Sequence, residues 1–598
     1  MVPSRFTVAA VLLQLVSLTL AHGGDENHGT DMGGMKTPNT DGGDQGKEID
    51  HHDASSYAAL GMHGNMILAH IILMVLAWFF VLPIGVMFSV AQSRYTLPVQ
   101  FLFLIVNGLG VLFGTVYNIN TPDLYENNAH HKVGWIATWI MTAQVIMGLL
   151  FTYSRRGKRT AAAPGERAAF LPPMSVENMA QHNIRPYTDG RWSGDSGQGT
   201  ERSSTLHSQD GSPADTLRRD TFDDFEKPEP EDDDDDEPVA TPKPRARAAW
   251  WRINVIDKYL SARIPNLLSA EILRVIEVVY KIIDKTILIL GFIALTTGGV
   301  TYAGIFRGND IFNGLAHFIK GGIFFWYGLL TLGRWMGCFA DLGWAWNVKP
   351  TRSEVGQWKA AVPSAEFVES LVIFLYGCSN VFLEHLAAWG GKWTAQDLEH
   401  VSISIMFFGG GLCGMLVESK IVRRCLNTVV DHMPSRTEIH PSEALELRAP
   451  PKQYRTSLNP MPALIILLLG VMMSSHHQDS MVSTMIHKQW GSLLVGFSVA
   501  RFVTYVINYI SPPSSIYPSR PPTELVSSFC LISGGLIFMA STRDIVRHIE
   551  NADLMAMFVF TVMMGFTAFV MSCEVIVLCL KGWAYRKELN AAATSVRY

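Results

Sequence analysis

Apolar runs of about 20 residues, separated by polar segments, recur along this chain and restrict it to few folds. A helix needs about that many apolar residues to cross the hydrocarbon core of a bilayer. The 598 residues are 48% hydrophobic and only 17% charged, values that do not fit a soluble globule. The sequence therefore predicts an all-α polytopic membrane protein that contacts membrane lipid.

We count about eleven predicted spans, three before and eight after a long polar segment. They cover residues 65–90, 97–117, 133–153, 286–305, 315–332, 367–383, 401–417, 462–473, 492–510, 525–540 and 555–580. The run at 462–473 is shorter than a bilayer requires, so that span has the weakest support.

The two ends of the chain predict its orientation. The first 21 residues have the composition of a secretory signal peptide: Arg5, an apolar core and a small-residue end at Ala21. Residues 22–56 would then face the lumen, and their Gly- and Asp-rich composition predicts disorder. The basic residues 155–159 follow the third span and fall on the cytoplasmic side, as the positive-inside rule requires. The tail, 586–598, is also cytoplasmic, which predicts a multi-pass protein of the secretory pathway or cell surface.

The polar segments divide the rest of the chain into two membrane modules. We predict a three-helix module at 57–154, a disordered acidic cytoplasmic linker at 155–249, and an eight-helix module at 250–585. The linker is either a solvated tether or a docking segment for cytoplasmic protein partners. The net charge of −5 is nearly balanced and gives no indication of nucleic-acid binding.

The first module contains histidines on two of its three predicted spans. His70 lies in the first span, and His130 and His131 open the third. Axial ligation of haem needs two imidazoles that project from facing helices onto one iron. These histidines therefore predict a haem site, with a haem-free helix bundle as the alternative.

The residues around these histidines resemble the transmembrane cytochromes b that are reduced by ascorbate. The first run reads His-x-x-Leu-Met, Ala-Trp and Leu-Pro-x-Gly from His70 to Gly85; the second reads His-x-x-x-Gly, Gln and Gly from His130 to Gly148. The resemblance implies that His70 and His130 bind one haem b. Those cytochromes bind two haems, but Phe103 stands here where they have a histidine. A fourth helix is also missing before the linker, so at most one haem is expected.

The second module has imidazoles and carboxylates at the predicted lumenal ends of its spans. These residues are Glu384, His385, His400, His476, His477 and His487, with His317 as a further contributor. Imidazole and carboxylate together suit a transition metal ion. The alternative is that they are polar residues at the level of the lipid headgroups. Glu418 and Glu574 lie deeper, towards the cytoplasm, and are predicted to act as a proton or metal relay.

The same residues resemble the fungal family of yeast putative transmembrane proteins (Ytp). The pattern is Glu-x-x-Glu from Glu366, two Leu-Glu-His triplets that end at His385 and His400, and His-His-Gln followed by His and Trp-Gly up to Gly491. The resemblance implies a small N-terminal membrane domain joined to a larger one, and implies no settled activity.

Three functions follow from these observations. The first is transmembrane electron transfer with one haem b, a transition metal ion or both. The second is transport of a transition metal or protons, and the third is a non-catalytic membrane scaffold. The sequence has no nucleotide-binding loop and no nucleophile beside a base, so it identifies no catalytic residue.

Overall fold

A computed structural model describes residues 56–161, 269–308, 310–383, 392–432, 451–475, 478 and 480–596. The predicted signal peptide, most of the predicted lumenal segment and most of the predicted linker lie outside these residues. The described part of the chain is all-α and contains no strand.

Thirteen helices make up the described structure, apart from short turns of helix in the connections. They are α1 (Gly64–Val90), α2 (Thr96–Asn120), α3 (Ala129–Ala161), α4 (Ala270–Ala303), α5 (Asp310–Met336), α6 (Ala365–Leu383), α7 (Ala395–Glu418), α8 (Lys420–Asp431), α9 (Met461–Ser475), α10 (Met481–Ile510), α11 (Pro522–Ala540), α12 (Arg543–Asn551) and α13 (Ala556–Val596).

The predicted fold class is confirmed. Eight of the described helices are long and apolar enough to cross a membrane: α1, α2, α3, α5, α7, α10, α11 and α13. The other three predicted spans coincide with α4, α6 and the short α9. Large apolar side chains such as Ile105 and Trp139 are exposed on the outer faces of the helices, where they contact lipid.

Helix α4 completes a four-helix arrangement with α1, α2 and α3, although it follows the linker in sequence. Its Ile287 is buried in one apolar cluster with Trp78, Phe103 and Met141 of the first three helices. Asp284 of α4 accepts hydrogen bonds from Ser89 Oγ at 2.5 Å and from Gln144 Nε2. The fourth helix that the sequence lacks before the linker is therefore supplied after it.

A π-helical turn interrupts α1 at Leu76–Val81, just before Pro83. Proline has no backbone N–H to donate and its ring crowds the preceding turn, which favours a local widening of the helix. The turn carries Trp78, whose Nε1 donates to Asn107 Oδ1 at 2.9 Å. Asn107 Nδ2 donates in turn to Thr138 Oγ1 at 3.2 Å. This buried polar chain fixes the relative register of α1, α2 and α3.

Glycines allow close approach of helices in the second bundle. A Cβ on Gly321 of α5 would lie 2.6 Å from the Gly535 carbonyl oxygen of α11. On Gly328, one would lie 2.7 Å from the backbone nitrogen of Ile532. Small residues at such positions let backbones pack tightly inside a membrane. The α5–α11 pair is consequently the closely packed centre of this bundle.

Helix α13 packs the second bundle against the first. The Phe569 ring of α13 stacks on Phe79 of α1 with 6.1 Å between centroids. Near the end of α13, Glu588 Oε1 lies 3.0 Å from Arg94 Nε in an exposed ion pair. The two sets of helices therefore share an interface that is apolar within the membrane and charged at its end.

We expect Gly321→Ala to destabilise the protein. The added methyl group has no space between α5 and α11, and overpacking of this kind costs about 1–3 kcal/mol. Gly565→Ala is the matched control, because a Cβ there meets nothing within 4 Å and alanine favours a helix. Thermal unfolding in detergent should show a lower midpoint for Gly321→Ala and an unchanged or higher one for Gly565→Ala. Equal midpoints would contradict the close α5–α11 contact.

Candidate functional site

The two histidines predicted to share one iron do lie together between helices. His70 of α1 and His130 of α3 have ring centroids 6.2 Å apart, with the ring planes at 76°. We call these two residues the first imidazole pair. Of the two histidines that the sequence offers as the partner of His70, His130 lies beside it, whereas His131 is exposed.

Backbone carbonyl groups hold both rings of the first imidazole pair. His70 Nδ1 lies 2.8 Å from the Gly110 oxygen of α2, and His130 Nδ1 lies 3.1 Å from the Ala294 oxygen of α4. A carbonyl oxygen only accepts, so each Nδ1 carries the proton and each Nε2 keeps its lone pair.

Glycines make room for the two rings. A Cβ on Gly114 would lie 2.6 Å from His70 Nδ1, and a Cβ on Gly298 would lie 3.0 Å from His130 Cε1. Tyr117 follows Gly114 by one turn, and its buried hydroxyl has no hydrogen-bond partner among the described residues. The pair therefore lies where all four helices of the first bundle meet.

Phe103 explains why a second haem site is not expected in this bundle. Its side chain is buried and packs edge-on against Trp78, with 5.0 Å between ring centroids. The position that carries a histidine in the cytochromes the sequence resembles is thus part of the apolar core here.

A second pair of histidines lies in the other bundle. His317 of α5 and His487 of α10 have ring centroids 6.5 Å apart and ring planes at 88°. His317 Nδ1 lies 2.9 Å from the Asn313 oxygen, and His487 Nδ1 lies 2.8 Å from the Ser483 oxygen. We call these residues the second imidazole pair.

The second imidazole pair lines a cavity of about 640 Å³ inside the bundle. Helices α5, α6, α7, α9, α10, α11 and α12 contribute to its wall, which is mainly apolar and aromatic. His400 and Glu399 of α7 line the same end as the histidines, while Arg334 and Glu369 line the other end. The cavity thus extends from imidazoles to buried charges.

The predicted metal-binding residues are only partly described. His400 and His487 both line the cavity, as does His317. Glu384, His385, His476 and His477 lie outside the described residues, so their place in a metal site stays a prediction. Within the part of the chain that is described, no three His, Cys, Asp or Glu side chains form a group that could hold a metal ion.

The two predicted relay carboxylates have different surroundings. Glu418 ends α7 and accepts hydrogen bonds from Ser364 Oγ at 2.9 Å and Ser457 Oγ at 2.6 Å. Glu574 lies within α13 against Gly333 of α5, and its Oε2 has no hydrogen-bond partner among the described residues. Neither residue lines the cavity, so a relay role for them stays a prediction.

A buried cluster of charges lies at the far end of the cavity. Arg334 of α5 contacts Glu369 at 2.7 Å and Glu366 at 3.2 Å, both on α6. Arg501 of α10 lies 3.4 Å from Glu369 and 2.7 Å from Glu524 of α11. The Arg501–Glu524 contact is an ion pair by distance and not an aligned hydrogen bond. We call these five residues the buried ion cluster.

The sequence showed Glu366 and Glu369 only as the Glu-x-x-Glu part of the Ytp-like pattern, and their arginine partners were missed. Arg501 stands alone inside the predicted span 492–510, and Arg334 follows the predicted span 315–332 by two residues. A lone arginine within or at the end of a span is an indication of a carboxylate partner. Glu524 lies directly before the predicted span 525–540, and a carboxylate at that position likewise indicates a charged partner.

Comparison with known proteins identifies the family. A family model described as "Protein YTP1-like, C-terminal" matches residues 290–582, and one described as "Domain of unknown function (DUF2427)" matches residues 51–154. The "Uncharacterized membrane protein C3B8.06" of Schizosaccharomyces pombe is 36% identical over 555 residues, which cover 92% of this chain and 99% of that protein.

Two proteins of Saccharomyces cerevisiae match over shorter lengths. The "Uncharacterized membrane protein YCR061W" is 39% identical over 53% of this chain and 50% of its own length. "Protein YTP1" is 24% identical over 30% of this chain and 31% of its own length. No solved structure matches the chain.

The helices and their buried polar sites define an all-α, multi-pass integral membrane protein. With a relative matched over almost its whole length, the chain belongs to the YTP1-like family of membrane proteins.

We expect Glu524→Gln to destabilise the second bundle strongly. The change removes the carboxylate nearest to Arg501 and leaves that guanidinium with Glu369 at 3.4 Å, which Arg334 also contacts. Breaking a buried ion pair typically costs about 3–5 kcal/mol. Glu588→Gln breaks the exposed pair with Arg94 and is the matched control, with an expected cost of about 1 kcal/mol or less. Unfolding in denaturant would measure both, and similar losses in the two variants would show that the buried ion cluster does not hold the bundle together.

Proposed function

We propose that this protein transfers electrons within the membrane and that His70 and His130 are the axial ligands of one haem b. The observation that carries the proposal is the arrangement of the first imidazole pair: two rings from different helices, 6.2 Å apart, with each Nδ1 on a backbone carbonyl oxygen. The cytochrome-like residue pattern around both histidines agrees with it.

His70 and His130 project from different helices, and their ring centroids lie 6.2 Å apart. Both imidazoles would therefore be within reach of one haem held between α1 and α3.

The surrounding residues are suited to hold such a group. Ligating histidines typically donate their other ring N–H to a carbonyl or carboxylate, which fixes the tautomer and the ring orientation. The Gly110 and Ala294 oxygens serve this purpose. A carboxylate of the bound group would supply the acceptor that the Tyr117 hydroxyl lacks. A haem would supply reversible one-electron chemistry at its iron.

The sidedness of this function follows from the charge distribution. The basic residues 155–159 support a cytoplasmic position for the end of α3. By the same alternation, the first imidazole pair lies nearer the lumenal side and the C-terminus is cytoplasmic. The acidic linker would then be available to cytoplasmic partners.

Purified protein should show a Soret band that depends on both histidines. We expect His70→Ala and His130→Ala to lower the Soret absorbance per chain by the same amount, because either change removes one of the two axial ligands. His131→Ala is the matched control, since it removes the adjacent exposed imidazole and should leave the band unchanged. Wild-type protein without a Soret band, or an equal loss in the His131 variant, would refute the proposal.

A second candidate function is transport of a transition metal ion or protons, and the cavity favours it. One space connects His317, His400 and His487 with the buried ion cluster, so polar groups extend along the interior of the bundle. In this function the predicted relay residues Glu418 and Glu574 would pass the ion onward.

Reconstituted vesicles test this second function. We expect metal or proton flux that drops in Glu418→Gln and Glu574→Gln, because each change removes a titratable group from the route. Glu588→Gln is the control, because this half-buried carboxylate pairs with Arg94 near the end of α13 and does not line the cavity. Flux that is absent, or unchanged in both variants, would exclude transport through these residues.

A further inference from the structure

We propose that the middle of the cavity in the second bundle binds a neutral, lipid-soluble molecule with a planar ring and carbonyl oxygens, which is the chemistry of a quinone. The cavity then holds a bound molecule, a role distinct from the passage of metal ions or protons. The proposal depends neither on the haem of the first bundle nor on the histidines at the end of the cavity. Its basis is a set of unpaired donors in the cavity wall and a side opening towards the lipid.

Three hydrogen-bond donors in the cavity wall have no partner among the described residues. They are Trp326 Nε1 and the Tyr327 hydroxyl of α5, and Trp490 Nε1 of α10. A buried donor that is left unpaired costs about 1–3 kcal/mol, so native proteins rarely keep one without a reason. An indole N–H only donates, and a phenol hydroxyl can donate as well. The wall therefore favours a bound molecule that carries acceptor oxygens.

Aromatic rings lie beside these donors. Trp490 stacks on Phe538 with 4.2 Å between ring centroids, and Trp326 lies edge-on to Phe292 of α4 at 6.0 Å. A water molecule needs several polar partners to stay in a buried site, and aromatic side chains do not supply them. A planar ring can instead pack against these side chains while its oxygens accept hydrogen bonds from the donors.

The charged side chains at the deep end of the cavity do not require a charged ligand. Arg334 and Glu369 line that end and contact each other at 2.7 Å. A charged molecule would also have to cross hydrocarbon to reach the cavity, which is costly. The volume of about 640 Å³ lies within the range of about 300–1,000 Å³ that small-molecule and cofactor sites occupy. A neutral ring with an apolar tail therefore suits this space.

A side opening between α5 and α6 connects the cavity with the lipid. Ile323 of α5 and Val372 of α6 line the cavity and are also 41% and 47% exposed. The backbones of these two helices pack on other partners, α5 on α11 and α6 on α7, and the buried ion cluster joins them at one end. Both residues lie within predicted spans, so the opening faces hydrocarbon. A lipid-soluble molecule can thus enter the cavity from within the bilayer.

The test is binding of a labelled benzoquinone with an alkyl tail to the full-length protein in phosphatidylcholine nanodiscs, with empty nanodiscs as the blank. Binding should saturate, and Tyr327→Phe and Trp326→Phe should each weaken it about fivefold to tenfold, because each change removes one donor. Tyr505→Phe is the matched control, since Tyr505 is buried but does not line the cavity. The melting midpoint should not fall in Tyr327→Phe, because the lost hydroxyl has no partner in the protein. Unchanged affinity in both donor variants would overturn the proposal.

Competition identifies the chemistry of the bound molecule. Unlabelled benzoquinone should displace the label. An alkylbenzene without carbonyl oxygens and a diacylglycerol without a planar ring should each displace it about tenfold less well, because each lacks one of the two required features. Equal displacement by either compound would overturn the assignment to a planar carbonyl compound. So would wild-type protein that binds no more label than empty nanodiscs, which is the result expected if water alone fills the cavity.

Two further variants locate the site. Val372→Trp places a large side chain in the side opening and should slow association, whereas Leu375→Trp, at an exposed position of α6 outside the cavity wall, should not. Equal association rates in these two variants would contradict entry between α5 and α6. His70→Ala/His130→Ala removes the proposed haem ligands and should leave benzoquinone binding unchanged, which separates failure of this proposal from failure of the haem proposal. Loss of binding in that double variant would place the molecule in the first bundle and overturn the proposal.

Discussion

Charged side chains inside an apolar bundle must be paired, and the second bundle is organised around one such set. Arg334, Arg501 and three glutamates bring α5, α6, α10 and α11 to a common point, with contacts of 2.7–3.4 Å. An unpaired member would cost several kcal/mol, so the four helices cannot slide past one another freely. The set has three carboxylates for two guanidinium groups, and it forms one end of the cavity whose other end is lined by imidazoles.

The same requirement accounts for the four buried imidazoles. Each satisfies its Nδ1 with a backbone carbonyl oxygen. The four side chains form two pairs, one in each bundle. The distance between ring centroids is nearly the same in the two pairs, so both bundles contain this arrangement. In the first bundle, glycines on α2 and α4 make the space for the rings; in the second, an open cavity lies beside them.

The sequence predicted what depends on local composition and missed what depends on tertiary contact. Hydropathy was sufficient for the fold class and the helices, and His70 and His130 were found because they begin or lie in apolar runs. The role of α4 in the first bundle was not predictable, since residues 162–269 separate α3 from α4 and only the fold brings Ile287 into one cluster with Trp78. The sequence indicated His317 only as a further contributor to the metal site. Its neighbour His487 comes close to it because α5 and α10 both pack on α11. The pairing of Arg334 with Glu369 likewise depends on tertiary contact, because these residues of α5 and α6 must lie at the same level of the bundle.

The central claim is that His70 and His130 hold one haem between the helices of the first bundle, and electron paramagnetic resonance of the oxidised protein tests it most directly. Ring planes at 76° predict a low-spin ferric signal of the strongly anisotropic kind that near-perpendicular imidazoles produce. This signal is expected in the wild type, and it should be lost in His130→Ala and retained in His131→Ala. A spectrum with no low-spin ferric haem, or with only high-spin iron, would contradict it.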